Sequence, residues 1–296
     1  SQIKIVEIPE TVRIIEQGAF SECNLVEKIT LPSIGDGKNN THLGCIFDSS
    51  NNVPSSLKEV IVTVQTCIPE RAFENCDMIE RITLPNTVVS IGKYAFRYCH
   101  ELKRLNSDED GVFNIPELVT IINAYTFQEC HQVIKFTMGQ VESIGEFAFM
   151  NCNLVEYFNS ETQYKMEIPK SVKTIDGVAF NGMLLIKEVY IPETLESIGE
   201  GVFIRFNSLE KITLPFIGYG DYPSPFQSIF SQKGVPSSLK EVIVTVQTNI
   251  PENAFANCDS IESITLPKTV ESIGQNAFYN CKGLKRLNSE EDGVFN

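Results

Sequence analysis

Apolar residues return along this chain in one repeated phrase, Ile-Pro-x-x-Val-x-x-Ile-Gly-x-x-Ala-Phe-x-x-Cys. It is first met as Ile8-Pro9, Val12, Ile15, Ala19-Phe20 and Cys23. With Phe as the marker, the units fall at Phe20, Phe73, Phe96, Phe127, Phe149, Phe180, Phe203, Phe255 and Phe278, in steps of 53, 23, 31, 22, 31, 23, 52 and 23 residues. Each of the two long steps holds one more, degenerate unit, marked by Phe47 and Phe230, which makes about eleven units of about 23 residues. So short a unit cannot bury its apolar face alone. Stacked on its neighbours it forms a solenoid with a long exposed surface.

Within a unit the spacing separates two kinds of backbone. Apolar residues follow the Cys at three and six positions and then alternate, as in Val26, Ile29, Leu31; Ile79, Ile82, Leu84; and Ile261, Ile264, Leu266. Alternation predicts a strand. Pro32, Pro85, Pro215 and Pro267 end it, because proline cannot donate to a ladder. Val88, Ile91, Ala95 and Phe96 then predict a turn and a short helical segment facing inward, with Gly92, Gly145, Gly199 and Gly274 at a bend of positive φ. Each coil thus gives one strand to a parallel sheet and a return path behind it. The 31-residue steps carry insertions of about eight residues, SDEDGVFN at 107–114 and the segment around Thr162–Glu167. A longer period lies on top: residues 53–114 and 235–296 share about three-quarters of their residues at an offset of 182.

The full phrase Ala72-Phe73, Cys76, Ile79, Ile82, Leu84-Pro85, Val88, Ile91-Gly92 resembles the leucine-rich repeats of BspA-like (Treponema-type) bacterial surface proteins. The resemblance covers almost the whole chain. It departs at irregular units near 33–56 and 216–238, where LGCIF and VPSSLKEVIVT resemble degenerate units in surface proteins of gut-dwelling Firmicutes. It implies an α/β solenoid: a leucine-rich-repeat horseshoe of about eleven coils, with a concave parallel β-sheet and short helical or 3-10 turns on the convex side. One such solenoid is expected over 1–296. The resemblance also implies a monomeric, non-catalytic module that is extracellular or at the cell surface. Its expected partner is host extracellular matrix, a cell-surface protein or a glycan. Ser1 leads directly into repeat sequence, and 287–296 stops where its twin at 105–114 runs on, so a longer parent protein is expected.

Charge and candidate chemistry narrow this further. A formal charge of −14 argues against DNA or RNA, whose phosphates need a basic footprint. No apolar run approaches the roughly 18 residues of a membrane span, so no membrane insertion is expected in this segment. Seven of the nine cysteines share one repeat position, which Met183 and Phe206 fill in two other units. A position that accepts Met and Phe wants apolar filler, so a buried free-thiol ladder is expected. Cys45 and Cys67 fall off this ladder and are the candidates for a reactive or paired thiol. His100 and His131 follow Cys99 and Cys130, and the four could gather around zinc. The spacing is not that of a zinc finger, and adjacent residues point in different directions, so two exposed loop histidines are expected, with no metal or cofactor. SDEDG (107–111) and SEEDG (289–293) lack the alternating ligands and distal Glu of a calcium loop and are expected to be solvated turns. No nucleophile elbow, P-loop or dinucleotide fingerprint occurs, and three histidines leave little for a triad.

Any function must lie in the variable positions beside the inward strand residues. The first such row is Lys28, Glu59, Arg81, Arg104, Lys135, Tyr157, Glu188, Lys211, Glu241, Ser263 and Arg286, six of them basic on an acidic protein. The next row includes Thr30, Thr83, Asn106, Thr137, Asn159, Tyr190 and Thr213. From these rows the candidate binding residues are Lys28, Arg81, Arg104, Asn106, Lys135, Tyr157, Asn159, Tyr190, Lys211 and Arg286, set to grip an extended or anionic partner. Arg81, Arg104 and Lys135 are expected on consecutive rungs. Such a like-charge run costs stability unless Glu27, Glu80 and Glu210, or an acidic ligand, screen it. The alternatives are an ordinary solvated face, a spacer that lengthens by copying blocks, and the targeting arm of a larger enzyme.

Overall fold

The alternating segments fold as strands because one residue in two is apolar enough to face the core. In Lys28–Leu31 the pattern of half-buried and buried residues alternates strictly, and the central Ile29 has no solvent exposure. The computed structural model describes residues 1–35, 41–48, 52–218, 225–230 and 234–289. It divides into two units, Ser1–Leu154 and Val155–Asn296.

In the first unit the main sheet runs, in order, through Ile5–Glu7, Lys28–Leu31, Glu59–Val62, Arg81–Thr83, Arg104–Leu105, Val112–Asn114 and Lys135–Thr137, all parallel. In the second it runs through Tyr157–Phe158, Lys165–Glu167, Glu188–Tyr190, Lys211–Leu214, Glu241–Val244, Ser263–Thr265 and Arg286–Leu287. Inside each unit the Phe side chains form a column. Phe73, Phe96, Phe127 and Phe149 stack at 5.3, 5.3 and 5.6 Å, all fully buried. Deleting such a ring from a packed column costs about 3–5 kcal/mol.

In the regular coils the return path is a succession of turns rather than a helix. After the strand, proline opens a turn in which the Val88 N–H donates to the Pro85 carbonyl at 3.1 Å. A second parallel ladder follows, through Cys67–Ile68, Ser90–Ile91, Ile121–Ile122 and Ser143–Ile144 in the first unit. In the second unit it comprises Thr174–Ile175 with Ser197–Ile198, and separately Asn249–Ile250 with Ser272–Ile273. Val88, Ile91, Ala95 and Phe96 do face inward, fully buried. The helical segment expected there is excluded by left-handed residues four apart, Tyr94 (φ 59°) and Tyr98 (φ 60°), repeated as Arg71 and Asn75, Tyr125 and Glu129, and Phe147 and Asn151. Through this turn, backbone N–H groups alternate between local and inter-coil partners. Phe73, Asn75 and Arg71 donate to Ala95, Arg97 and Lys93 of the next coil, while Ala72, Glu74 and Cys76 donate three residues back. The stack is thereby hydrogen-bonded along the turn as well as along both ladders. Among the described residues the helical elements are two 3-10 turns, Leu43–Ile46 and Phe226–Ile229, both in the irregular units.

The glycine of the phrase serves a different purpose from the one its sequence suggested. Gly92, Gly145, Gly199 and Gly274 do not have positive φ. A Cβ on Gly92 would instead lie 2.4 Å from the Glu70 nitrogen of the preceding coil, and one on Gly199 would lie 2.2 Å from the Gly177 nitrogen. The Gly92 N–H donates to the Ile68 carbonyl at 2.8 Å, which draws the two backbones into this approach.

The eight-residue insertions each add a strand to the main sheet, Val112–Asn114 and Lys165–Glu167. Parallel neighbours usually need a dozen or more connecting residues. Strands of two and three residues need less, and 106–111 suffices here. The expected run of Arg81, Arg104 and Lys135 on consecutive rungs is therefore corrected. Arg104 pairs in register with Val112, and Val112 with Lys135.

Candidate binding face

On the first unit's sheet the register sets Lys28 beside Glu59, Glu59 beside Arg81, and Arg81 beside Arg104. Their charges are met largely within the chain. Lys28 pairs with Glu59 at 3.1 Å, Arg81 with Asp108 at 3.2 Å and Arg104 with Asp110 at 2.6 Å. The SDEDG insertion is thus more than a solvated turn: it arches beside the two arginines and supplies their counter-charges. Its partner Arg104, through a side-chain hydrogen bond, holds the Asp110 carboxyl below the ordinary Asp range. Glu80, expected to screen this row, instead pairs with Lys58 (3.5 Å) and Lys103 (3.1 Å) in the row before it. Glu27 likewise takes Lys4 at 2.7 Å, and in the second unit Glu210 takes Lys187 at 3.0 Å.

Asn106 occupies a left-handed position (φ 51°), and its side chain bridges strands. The Leu84 N–H donates to Asn106 Oδ1 at 2.7 Å, and Asn106 Nδ2 donates to the Asn114 carbonyl at 3.2 Å. Asn114 Nδ2 returns a bond to the Asn106 carbonyl at 2.9 Å, and the Thr137 hydroxyl donates to Asn114 Oδ1. This double-amide clamp fixes the insertion on the sheet. Arg81, Thr83, Leu84, Asn86, Asn106–Glu109, Val112, Asn114, Lys135 and Thr137 together line an open depression of about 580 Å³. Of the candidate residues, Arg81, Asn106 and Lys135 are brought together there, with Arg104 on the adjoining rung.

The second unit carries the other candidates on its own sheet. Tyr157 pairs with Lys165, which in turn pairs with Glu188, followed by Lys211 and Glu241. Lys165 binds Glu167 at 2.5 Å, and Lys211 binds Glu241 at 2.8 Å. Tyr190 lies exposed between Glu167 and Thr213. Asn159 is left-handed (φ 50°), and Arg286 pairs with Ser263 at the last strand. Sequence reasoning missed Val112, Asn114 and Lys165 as face residues because it took the insertions for loops. A signal was present: Phe113-x-Ile115-Pro116 and Met166-x-Ile168-Pro169 repeat the strand-to-proline spacing of Ile82-x-Leu84-Pro85.

Six of the nine cysteines are buried in the interior. All nine are free thiols. Cys99, Cys130 and Cys152 donate to the carbonyls of Phe73, Phe96 and Phe127 in the preceding coil, at 3.1, 3.3 and 3.2 Å. Burial raises the Cys76, Cys99, Cys130 and Cys152 thiols far above the ordinary range, and Cys258 up to about 12. Such thiols are inert. Cys45 is fully buried in its 3-10 turn, which removes it as a candidate reactive thiol, whereas Cys67 is exposed. With Cys99 and Cys130 turned into the core, a Cys-His zinc cluster is excluded. His100 and His131 sit half-exposed on the turn edge. Among the described residues no helix is long and apolar enough to cross a membrane. Residues 290–293 of SEEDG lie outside the described residues.

Solved structures that match the chain include a leucine-rich repeat protein from Bacteroides ovatus at 21% identity and TM-score 0.35, covering 95% of this chain and 73% of that one. A leucine rich cell surface protein from Faecalibacterium prausnitzii matches at 22% identity and TM-score 0.32, covering 97% and 88%. The leucine-rich repeat protein of T. pallidum matches at 19% identity and TM-score 0.35, covering 76% and 77%. No curated protein matches the chain. The family model for the BspA type leucine-rich repeat region matches over residues 1–107, 46–162, 111–216 and 156–285, in six copies. With its strands, prolines, Phe column and thiol ladder all at the repeat positions, the chain belongs to the BspA type leucine-rich repeat family.

Proposed function

We propose that the chain is a non-catalytic binding module of a cell-surface or secreted protein, taking an extended polypeptide or glycan across its main sheet. The observation that carries this reading is the open depression of about 580 Å³ on the first unit, where Thr83, Thr137, Asn86 and Lys135 present hydrogen-bonding groups beside the clamped insertion. Because Asp108 and Asp110 already answer Arg81 and Arg104, a polyanion meets a face of mixed sign. A neutral or zwitterionic polymer, rich in donors and acceptors, suits it better. The resemblance to bacterial surface proteins supports host matrix or a cell-surface glycan as the partner class.

The test is an array of glycans and matrix proteins probed with the purified chain. Lys135→Glu and Thr83→Ala are expected to weaken each hit at least tenfold, whereas Lys93→Glu, on the exposed turn edge, is expected to leave it unchanged. Equal binding by all three variants rejects the face. A second reading, a spacer that holds another domain outward, is favoured by the block copied at an offset of 182 residues. Binding to none of the probes would favour that spacer.

A further inference from the structure

On the turn edge of the first unit, two adjoining coils bring His100, Glu129 and His131 together. One ligand atom from each lies within 4.8 Å of the others, and all three side chains are half-buried. The imidazoles of His100 and His131 stack at 4.9 Å between centroids with their planes 28° apart. Each ring is held by a carboxylate, His131 Nε2 by Glu129 Oε2 at 2.7 Å and His100 Nδ1 by Asp77 Oδ1 at 3.0 Å. Asn151, one coil further on, donates to the second Glu129 oxygen at 2.7 Å. We propose that His100, His131 and Glu129 form a binding site for a divalent transition-metal ion of the zinc class.

The chemistry of the donor set selects that class. Two imidazoles and one carboxylate suit zinc, cobalt or nickel, whereas magnesium and calcium take oxygen ligands. Zinc–nitrogen bonds of about 2.0–2.1 Å at tetrahedral angles set ligand atoms about 3.3 Å apart. The remaining gap is of the size that side-chain rotation closes, with the backbone fixed. Three ligands leave one position for water or for a group from a partner, the arrangement of open zinc sites. The surrounding bonds match what metal sites require beyond their ligands. A histidine ligand is oriented by donating its other N–H to a carboxylate, as His100 Nδ1 is placed to do toward Asp77, which leaves Nε2 to coordinate. Asn151 does the equivalent for Glu129.

The copied block offers an internal comparison. There the place of Asp77 is kept by Asp259 while that of His100 is taken by Lys282, and the two form an ordinary ion pair at 3.8 Å. A lysine satisfies the aspartate at this position, so the pairing alone does not call for a histidine. Two histidines on adjoining coils do something a lysine cannot: they offer neutral nitrogen lone pairs to one point.

Isothermal titration of the full chain with zinc at neutral pH tests the site, with the cobalt complex examined by absorption spectroscopy. One equivalent is expected to bind, with visible bands of a nitrogen- and oxygen-ligated ion. His100→Ala and His131→Ala are each expected to lower affinity by at least 30-fold. Asp77→Asn and Asn151→Ala, which touch only the supporting bonds, are expected to lower it about tenfold. Circular dichroism of each variant without metal controls for folding. The proposal is overturned if binding does not saturate, or if the double His variant binds zinc as tightly as the parent. A strong thiolate-to-cobalt band in the near ultraviolet overturns it too, since the ion would then lie on cysteine.

Discussion

At the scale of the residue, the repeat holds backbone conformations that side chains ordinarily avoid. Left-handed positions recur in pairs four residues apart, and Asn fills many of them, as at Asn75, Asn151, Asn253, Asn257, Asn276 and Asn280. Asn tolerates this region, whereas a β-branched residue does not. Among the described residues Val178, at φ 61°, is the exception. Its N–H still donates to the Glu200 carbonyl of the next coil at 3.0 Å, so the inter-coil ladder holds it there. Val178→Asn is therefore expected to stabilise the protein by about 0.5–1 kcal/mol, read as a higher urea midpoint by circular dichroism. An unchanged or lower midpoint would show that the valine's packing outweighs its strain. Gly92 makes the opposite case. With a Cβ 2.4 Å from the Glu70 nitrogen and 2.6 Å from the Pro69 carbonyl carbon, Gly92→Ala must push apart backbones that are hydrogen-bonded to each other. It is expected to cost about 1–3 kcal/mol in the same assay, as overpacking does.

The element that departs most from the repeat is the insertion at 106–114. It adds a strand to the main sheet, clamps itself through Asn106 and Asn114, and lays Asp108 and Asp110 against Arg81 and Arg104. Asp110 is expected to titrate below the ordinary Asp range, and Arg104→Gln to return it toward that range. Carboxyl-detected NMR titration reads both. The sign for stability follows from the direction of the shift. A carboxylate whose folded pKa is depressed contributes above its unfolded value, and the contribution is lost as pH falls through the folded one. The loop should therefore stay docked at neutral pH and loosen only in acid, below the usual Asp range. This element also marks where sequence reading failed. Loop-like composition, SDEDG, hid the strand that follows it, although Phe113 and Ile115-Pro116 carry the strand spacing. The turn differs from the helical segment its spacing predicts for a related reason. Spacings of three and four describe inward residues in either a helix or a coiled turn, and only the φ values of Tyr94 and Tyr98 separate the two.

For the whole molecule, what could be read from sequence is what the repeats have in common. The two copies at 53–114 and 235–296 differ at Cys67, Arg71, Glu74, Met78, Arg81, Tyr94, Arg97, Tyr98 and His100 among others, and of the differing positions only Glu74 is buried. Core positions answer to one packing problem met again in every coil, so periodicity exposes them. Face and turn-edge residues answer to register, which is set by strands the insertions added, and no period announces that. The thiols turn this contrast into a measurement. In a stacked array each coil is held by its neighbours, and those with least cover open first. Cys67 is exposed, Cys23 and Cys281 are half-buried, and Cys76, Cys99, Cys130 and Cys152 are closed off at 0% exposure within the first unit. Burial also keeps the latter four protonated, so they alkylate only from an opened state. Iodoacetamide labelling along a urea gradient, read by peptide mass spectrometry, should mark Cys67 without denaturant and Cys23 and Cys281 next. The four buried thiols should follow together at a higher concentration. Labelling of Cys130 at the same urea concentration as Cys23 would mean that the coils open as one body, and that cover from neighbouring coils does not set local stability.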